Sequence, residues 1–160
     1  MDKIRVLLVE DSEQDAELIL RELEKAGYSP VHKRVETAEE MADTLDTGHW
    51  DIVLADYVMP NFSGLAAIDL ALRKDPDLPL IVISGQIGED TAVAAMRAGA
   101  QDYIVKDDLD ARLLARALHR FLPRLPPHRR RRLADLPAQR VDVRSDLFLE
   151  SLRRLAAASL

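Results

Sequence analysis

The sequence contains no cysteine, only 4% aromatic residues and no long apolar run. The absence of cysteine excludes disulfides and thiolate metal sites, and it favours the cytoplasm as the compartment. No apolar stretch approaches the roughly 18 residues that a transmembrane helix needs, so no membrane span is expected. The first five residues lead straight into a strand-like run, without the apolar core of a secretory signal.

Several functional signatures are absent as well. No G-x-G-x-x-G follows a strand-like run, which argues against a dinucleotide enzyme, and no G-x-x-x-x-G-K-[ST] occurs. The four histidines show no metal-ligand spacing, and we interpret each of them as a surface residue: His32, His49, His119 and His128.

Charge is distributed unevenly along the 160 residues, although the net charge is only −6. Residues 1–122 carry 24 acidic and 13 basic side chains, a balance of −11. Residues 123–160 carry 4 acidic and 9 basic side chains, a balance of +5. Because nucleic acids are polyanions, we expect no direct nucleic-acid binding by residues 1–122.

Strand-like and helix-like segments alternate through residues 1–122. Short apolar runs are typical of strands buried on both faces of a parallel sheet, and they occur at residues 4–9, 52–55, 80–83 and 103–105. Residues 30–35 alternate in polarity and begin with proline, as an edge strand can. Five such strands, each followed by a helix-like segment, predict a three-layer α/β sandwich around a parallel sheet.

Capping residues mark where the predicted helices begin. Ser12 and Thr37 each precede an acidic residue by three positions, the pattern of a capping box. Either Asp107 or Asp108 is expected to cap the last helix, which ends before Pro123.

Polar residues follow four of the predicted strands directly. They are Glu10 with Asp11, then Asp56, Ser84 and Lys106. Parallel strands end on one edge of a sheet, so these side chains should meet there, and clustered carboxylates need a compensating cation. Oxygen ligands without histidine or cysteine suit Mg²⁺, and a carboxylate can accept a phosphoryl group whose oxygens a lysine and a serine bind. Each residue alone could be a helix cap, a turn residue or a solvated lysine, but their coincidence favours a functional site.

With this set of residues, the segment from about 3 to 122 resembles the receiver (phosphoacceptor) domain of two-component response regulators. The resemblance implies a flavodoxin-like (βα)5 sandwich with strand order 2-1-3-4-5. It implies a phosphorelay switch, in which Asp56 accepts a phosphoryl group from a histidine kinase or phosphotransfer protein, and it is compatible with a homodimer. Such a domain is not an enzyme beyond its own phosphorylation and dephosphorylation. Residues 84–90 also resemble a receiver subgroup found in multi-domain sensor proteins.

The resemblance assigns a role to each residue of the set. The implied Mg²⁺ ligands are three carboxylates, one of them acting through water, and one backbone carbonyl: Glu10 (through water), Asp11, Asp56 and Val58. Lys106 would pair with the phosphate. Ser84 would move to bond a phosphate oxygen, and Tyr103 would swing inward behind it.

Three positions depart from the family pattern. Asp107 follows Lys106, where the family usually has a proline, often after a cis peptide bond; a cis bond before a non-proline residue costs about 3–4 kcal/mol, which leaves this loop's geometry open. Val58 is apolar and cannot orient an attacking water, which predicts slow hydrolysis of the phosphorylated state. Glu10 replaces the usual aspartate, which changes reach and not charge.

Two other functions stay open at this point. A receiver-like interaction module could work without phosphorylation, although the complete set of acids, serine and lysine argues against it. A Mg²⁺-dependent phosphatase of the haloacid dehalogenase type would need a second acid two residues after Asp56, where Val58 stands.

The remaining chain divides into two segments. Residues 123–144 are rich in proline and arginine and predict a semi-rigid linker, whose basic cluster at 128–132 we interpret as solvated. Residues 145–160 predict a capped amphipathic helix with Phe148, Leu152 and Leu155 on one stripe. The expected organisation is therefore a receiver domain at 1–122, a linker and a short helix.

Overall fold

The structure is a computed structural model that describes residues 2–85 and 88–122. The predicted linker at 123–144 and the predicted terminal helix at 145–160 lie outside the described residues. The predicted receiver segment is covered apart from Met1, Gln86 and Ile87.

A single parallel sheet of five strands has the order β2-β1-β3-β4-β5. The strands are Asp2–Val9 (β1), Tyr28–Val35 (β2), Ile52–Ala55 (β3), Leu80–Ser84 (β4) and Asp102–Val105 (β5). Every neighbouring pair is parallel, and β2 lies at an edge, as its alternating pattern predicted. The predicted strand order and the flavodoxin-like class are confirmed.

Within residues 2–85 and 88–122, five α-helices connect and follow the strands, and a short 3₁₀ turn follows β5. The helices are Glu13–Lys25 (α1), Ala38–Thr47 (α2), Gly64–Lys74 (α3), Glu89–Ala98 (α4) and Ala111–Phe121 (α5), and the 3₁₀ turn is Lys106–Asp108. The predicted caps are present, because the hydroxyls of Ser12 and Thr37 accept the backbone N–H of the residue three positions on. The longest helix in the described part of the chain has 13 residues, and none there is long and apolar enough to cross a membrane.

The start of α5 differs from the prediction. Asp110 caps this helix, since its carboxylate accepts the backbone N–H of Leu113 at 2.8 Å. Asp107 and Asp108 lie in the preceding 3₁₀ turn, which the N–H of Leu109 closes on the carbonyl of Lys106. Aspartates at all three positions can cap a helix, so the local sequence could not choose between them.

Helices cover both faces of the sheet. Alternate residues of β1 point to opposite sides: Val6 and Leu8 pack with α1 and α5, whereas Leu7 and Val9 pack with α2, α3 and α4. All four side chains are fully buried, and burial of an aliphatic side chain of this size is worth about 1.5–3 kcal/mol. The three-layer arrangement leaves only the ends of the strands free to build a site.

Candidate functional site at the carboxyl edge of the sheet

The chain direction brings the predicted site residues to one edge of the sheet. Glu10, Asp56 and Lys106 each come directly after the last residue of a strand, namely β1, β3 and β5. Strands β1 and β3 are paired neighbours, and the backbone N–H of Asp56 donates to the carbonyl of Val9 at 2.8 Å. This register places the carboxyl ends of β1 and β3 side by side.

Three carboxylates form a cluster at this edge. One oxygen from each of Glu10, Asp11 and Asp56 lies within 4.8 Å of the others, a spacing that could hold a metal ion. Glu10 and Asp56 are buried, with exposures of 1% and 7%, while Asp11 is exposed. Two ligand atoms are therefore fixed inside the fold, and the third faces solvent.

The ammonium group of Lys106 lies among carboxylates. Its Nζ is 2.7 Å from Asp15 Oδ2, 2.9 Å from Glu10 Oε2 and 3.2 Å from Asp56 Oδ2. The lysine side chain is only 15% exposed, so these contacts are largely shielded from water. The lysine thus connects two of the predicted metal ligands with a carboxylate of α1.

Asp15 is a site residue that the sequence prediction missed. The sequence pattern places it only in a near capping box at the start of α1, where its backbone N–H donates to Ser12 Oγ. A signal was present, since Asp15 lies four residues before Ile19 and eight before Leu23, both buried on the inner stripe of α1. Its side chain therefore continues that stripe beyond the core and onto the site.

Burial and the lysine act in opposite directions on the charge of the site. Burial raises the pKa of Glu10 from 4.5 to about 7, against the opposing influence of Lys106 and of the Ser12 N–H. Burial alone would lower the pKa of Lys106, but hydrogen bonding to Asp15 and Glu10 outweighs burial and raises it. Glu10 Oε2 lies close to the ammonium, yet it lacks a well-oriented hydrogen bond.

Backbone groups fix one oxygen of each buried carboxylate. Asp56 Oδ1 accepts the N–H of Tyr57 at 2.8 Å, and Glu10 Oε1 accepts the N–H of Ser12 at 3.1 Å. The guanidinium of Arg34 also donates to the backbone carbonyl of Glu10 at 3.1 Å. The second oxygen of each carboxylate is left facing the lysine ammonium.

The loop after Asp56 lies tightly against the start of α3. The N–H of Gly64 donates to the carbonyl of Tyr57 at 2.9 Å, and a Cβ at position 64 would be 2.6 Å from the Cα of Tyr57. Only glycine allows this close approach. Within the loop, Val58 is 52% exposed and Phe62 is buried, so the loop is anchored at its end and open beside the site.

Ser84 and Tyr103 lie on the neighbouring strands β4 and β5. Ser84 is fully buried, Tyr103 is 4% exposed, and the side chains of the two residues are hydrogen bonded. Burial raises the pKa of the tyrosine hydroxyl, and the bond to Ser84 partly opposes this. The predicted inward movement of Tyr103 on activation stays a prediction, and in this structure the residue is buried.

The peptide between Lys106 and Asp107 is trans, because the described residues contain no cis peptide bond. The geometry that the sequence left open is thus an ordinary trans bond followed by the 3₁₀ turn.

The sheet order and the helices on both faces place the chain in the flavodoxin-like class of α/β proteins. Within this class, residues 6–118 match the model of the response regulator receiver domain, and the chain belongs to that family.

Known proteins support this membership. The transcriptional regulatory protein YkoG of Bacillus subtilis (strain 168) is 34% identical over 116 residues, which are 72% of this chain and 50% of that protein. The chain spans about half the length, or less, of the first curated relatives that it matches.

Solved structures show the same fold. The beryllofluoride-activated NtrC4 receiver domain dimer has 32% identity and a TM-score of 0.63, with 73% of this chain and 95% of that one covered. The receiver domain of sensor histidine kinase PA1611 from Pseudomonas aeruginosa PAO1 has 22% identity, a TM-score of 0.62, and coverage of 75% and 98%. The latter structure has a magnesium ion coordinated in its active-site cleft.

Proposed function

We propose that the protein is a phosphorylation-dependent switch of a two-component phosphorelay, with Asp56 as the phosphoacceptor. The observation that carries this proposal is the position of Asp56, which has an oxygen within 4.8 Å of two further carboxylates and has its Oδ2 3.2 Å from the ammonium of Lys106. The partner would be a histidine kinase or a phosphotransfer protein, the compartment the cytoplasm, and a homodimer is compatible with this role.

Among the three clustered carboxylates, Asp56 is the best suited nucleophile. Asp11 has no contact with the lysine among the described ion pairs and hydrogen bonds. Glu10 does contact the lysine, but its side chain is only 2% exposed and its raised pKa leaves it partly protonated near neutral pH. The side chain of Asp56 is 9% exposed, and its Oδ2 is not bound by the backbone.

The transfer would follow from these positions. Asp56 Oδ2 attacks phosphorus, the bond from phosphorus to the donor's histidine nitrogen breaks, and its electron pair returns to that nitrogen. Lys106 balances the charge on the phosphoryl oxygens. The exposed, apolar side chain of Val58 offers no group to orient a water for hydrolysis of the acyl phosphate, which favours a long-lived phosphorylated state.

The residues of the acidic cluster fit a Mg²⁺ ion. Their ligands are hard carboxylate oxygens, and buried Glu10 Oε2 lacks a well-oriented hydrogen bond. Glu10, Asp11 and Asp56 would hold the ion, with the Val58 carbonyl as a further ligand and Glu10 acting through water. When bound, Mg²⁺ would neutralise charge on the cluster and on the incoming phosphoryl group.

The switch would act through Ser84 and Tyr103. Their side chains are already hydrogen bonded to each other behind the site, so a new bond from Ser84 to a phosphate oxygen would compete with that contact. The two residues lie on adjacent strands, and the change would thus reach β4, β5 and the helix between them.

The test is phosphorylation of the full chain with acetyl phosphate, with and without Mg²⁺. We expect one acid-stable, base-labile acyl phosphate per chain, lost in Asp56→Asn and after chelation. Asp69→Asn is the matched control, because Asp69 is an exposed aspartate paired with Arg73 on α3. It should be labelled like the wild type.

Three results would contradict the proposal. Phosphate retained in Asp56→Asn would move the acceptor elsewhere, and an unlabelled wild type would favour an interaction module that works without phosphorylation. Repeated turnover of phosphoesters would indicate a phosphatase instead.

A further inference from the structure

Asp15 is a fourth carboxylate at the site, and the proposed phosphoryl transfer does not use it. Its Oδ2 lies 2.7 Å from Lys106 Nζ, compared with 2.9 Å for Glu10 and 3.2 Å for Asp56. The side chain of Asp15 is 40% exposed. The lysine is thus closest to the carboxylate that is not part of the acidic cluster and farthest from the proposed acceptor.

We propose that Asp15 is a positioning residue that draws Lys106 away from the acceptor and thereby weakens binding of a phosphoryl group on Asp56. This inference rests on the proposed function. It assigns to α1 a direct influence on how firmly the phosphorylated state is held.

The argument begins with the number of donors. An ammonium has three N–H groups; that of Lys106 donates to Asp15 and Asp56, and Glu10 Oε2 lies at ion-pair distance, 2.9 Å away. A phosphoryl oxygen that approaches the ammonium must therefore compete with these carboxylates for it. Asp15 is the partner that can leave, since its half-exposed carboxylate can be rehydrated, whereas Glu10 is buried.

The negative charge of Asp15 also weakens binding of a phosphoryl group on Asp56. If Asp15 keeps its contact, a carboxylate stays close to the phosphoryl dianion and repels it. If it leaves, an ion pair is lost. Either way Asp15 opposes the bound anion, and the side chain's solvent exposure limits the effect to about three- to fivefold in affinity.

Removal of the Asp15 carboxylate should change the affinity for Mg²⁺ in the opposite direction to the affinity for the phosphoryl group. Without Asp15 and without a phosphoryl group, the ammonium of Lys106 is shared only by Glu10 and Asp56, two of the proposed ligands. The lysine then competes more strongly with the metal, and one negative charge has been removed nearby. Mg²⁺ alone should bind about two- to threefold more weakly to Asp15→Asn than to the wild type.

Calorimetric titration of the full chain tests both predicted changes in affinity. The probes are Mg²⁺ alone and beryllofluoride at saturating Mg²⁺, with the wild type, Asp15→Asn, Asp15→Glu and the control Glu17→Gln, an exposed carboxylate of the same helix. We expect Asp15→Asn to bind beryllofluoride about three- to fivefold more tightly and Mg²⁺ more weakly. Asp15→Glu and Glu17→Gln should stay within twofold of the wild type.

The outcomes separate this inference from the proposed function. Weaker or unchanged beryllofluoride binding in Asp15→Asn, with normal binding by the wild type, overturns the inference alone. A wild type that does not bind beryllofluoride overturns the proposed function and the inference with it. Asp15→Ser, which keeps a small polar side chain at the first turn, gives the same comparison should Asp15→Asn melt early.

Discussion

Glu10 shows at the scale of one residue how the fold sets the chemistry. The residue directly follows a central strand, so its carboxylate is buried, although the proposed metal binding requires its charged form. Its folded-state pKa of about 7 lies above the ordinary value of 4.5. Folding without a metal therefore favours the protonated acid over the carboxylate.

This raised pKa predicts that ionisation of Glu10 destabilises the metal-free protein as the pH rises. Because the folded-state pKa is raised, the stability contributed by Glu10 is complete below about pH 4.5 and is lost as pH rises through about 7. The free energy of unfolding of the wild type should fall relative to Glu10→Gln by at most about 3 kcal/mol between pH 4.5 and 8. Urea unfolding in the presence of a chelator measures the free energy of unfolding of both proteins across this pH range.

Two controls belong to this measurement. Glu17→Gln removes an exposed charge and should follow the wild type at every pH. Saturating Mg²⁺ should reduce the difference, since a cation compensates the ionised carboxylate. Parallel stability curves for the wild type and Glu10→Gln in chelator would show that burial does not raise this pKa.

At the scale of elements, β4 and β5 form the proposed route from the site to the surface. Ser84 ends β4, and the hydroxyl of Tyr103 on β5 is its hydrogen-bond partner. Both side chains are buried, so a rearrangement of one must be accommodated by the other and by the helix between the strands.

Ser84→Ala should separate phosphoryl binding from the switch. The fold should persist at a cost of about 1 kcal/mol for the lost hydrogen bond, and beryllofluoride should still bind to Asp56. Amide NMR shifts in α4 and β5 on beryllofluoride addition should become much smaller than in the wild type. Ser63→Ala, which removes a serine hydroxyl from the cap of α3, is the control and should show the full response.

Amide shifts in beryllofluoride-bound Ser84→Ala that match those of the bound wild type would exclude Ser84 as the transmitter. Tyr103→Phe then tests the second half of the route, because it removes the hydroxyl and keeps the buried ring.

At the scale of the whole molecule, charge separates the two ends of the chain. Residues 1–122 carry a balance of −11, residues 123–160 a balance of +5. The described part ends at Leu122, a buried residue that packs with the α1 and α5 layer. A truncation that keeps this residue removes the basic segment without opening the core.

Truncation after Leu122 should lower the melting temperature by a few degrees or change the oligomeric state in solution. The reason is the sequence prediction for residues 145–160: a helix of this length is marginal alone, and its apolar strip should be buried on an acidic receiver, its own or a neighbour's. Differential scanning calorimetry and light scattering measure the two quantities. Full-length chain carrying Phe148→Ser and Leu152→Ser keeps the charge and should behave like the truncation.

An unchanged melting temperature and an unchanged oligomeric state after truncation would show that the basic segment does not dock. High salt provides a further check, because the attraction between the two ends should weaken as the Debye length shortens.

Sequence patterns alone determined the parts of this protein that depend on local periodicity and chain direction. Four apolar runs and one alternating run predicted the five strands, Ser12 and Thr37 predicted two helix starts, and parallel strand direction predicted that the residues after β1, β3 and β5 would meet. These features follow from residue spacing, because period and strand polarity are properties of short segments.

The tertiary structure decided which side chains touch. The ion pair of Lys106 with Asp15 joins positions 91 residues apart, and it exists because packing of α1 on the sheet turns the first turn of that helix toward the end of β5. The structure also shows that Asp110 caps α5, which the local sequence could not distinguish from the two preceding aspartates. A local pattern specifies which face is buried, whereas the distance between two charged atoms depends on how separate elements are positioned against each other.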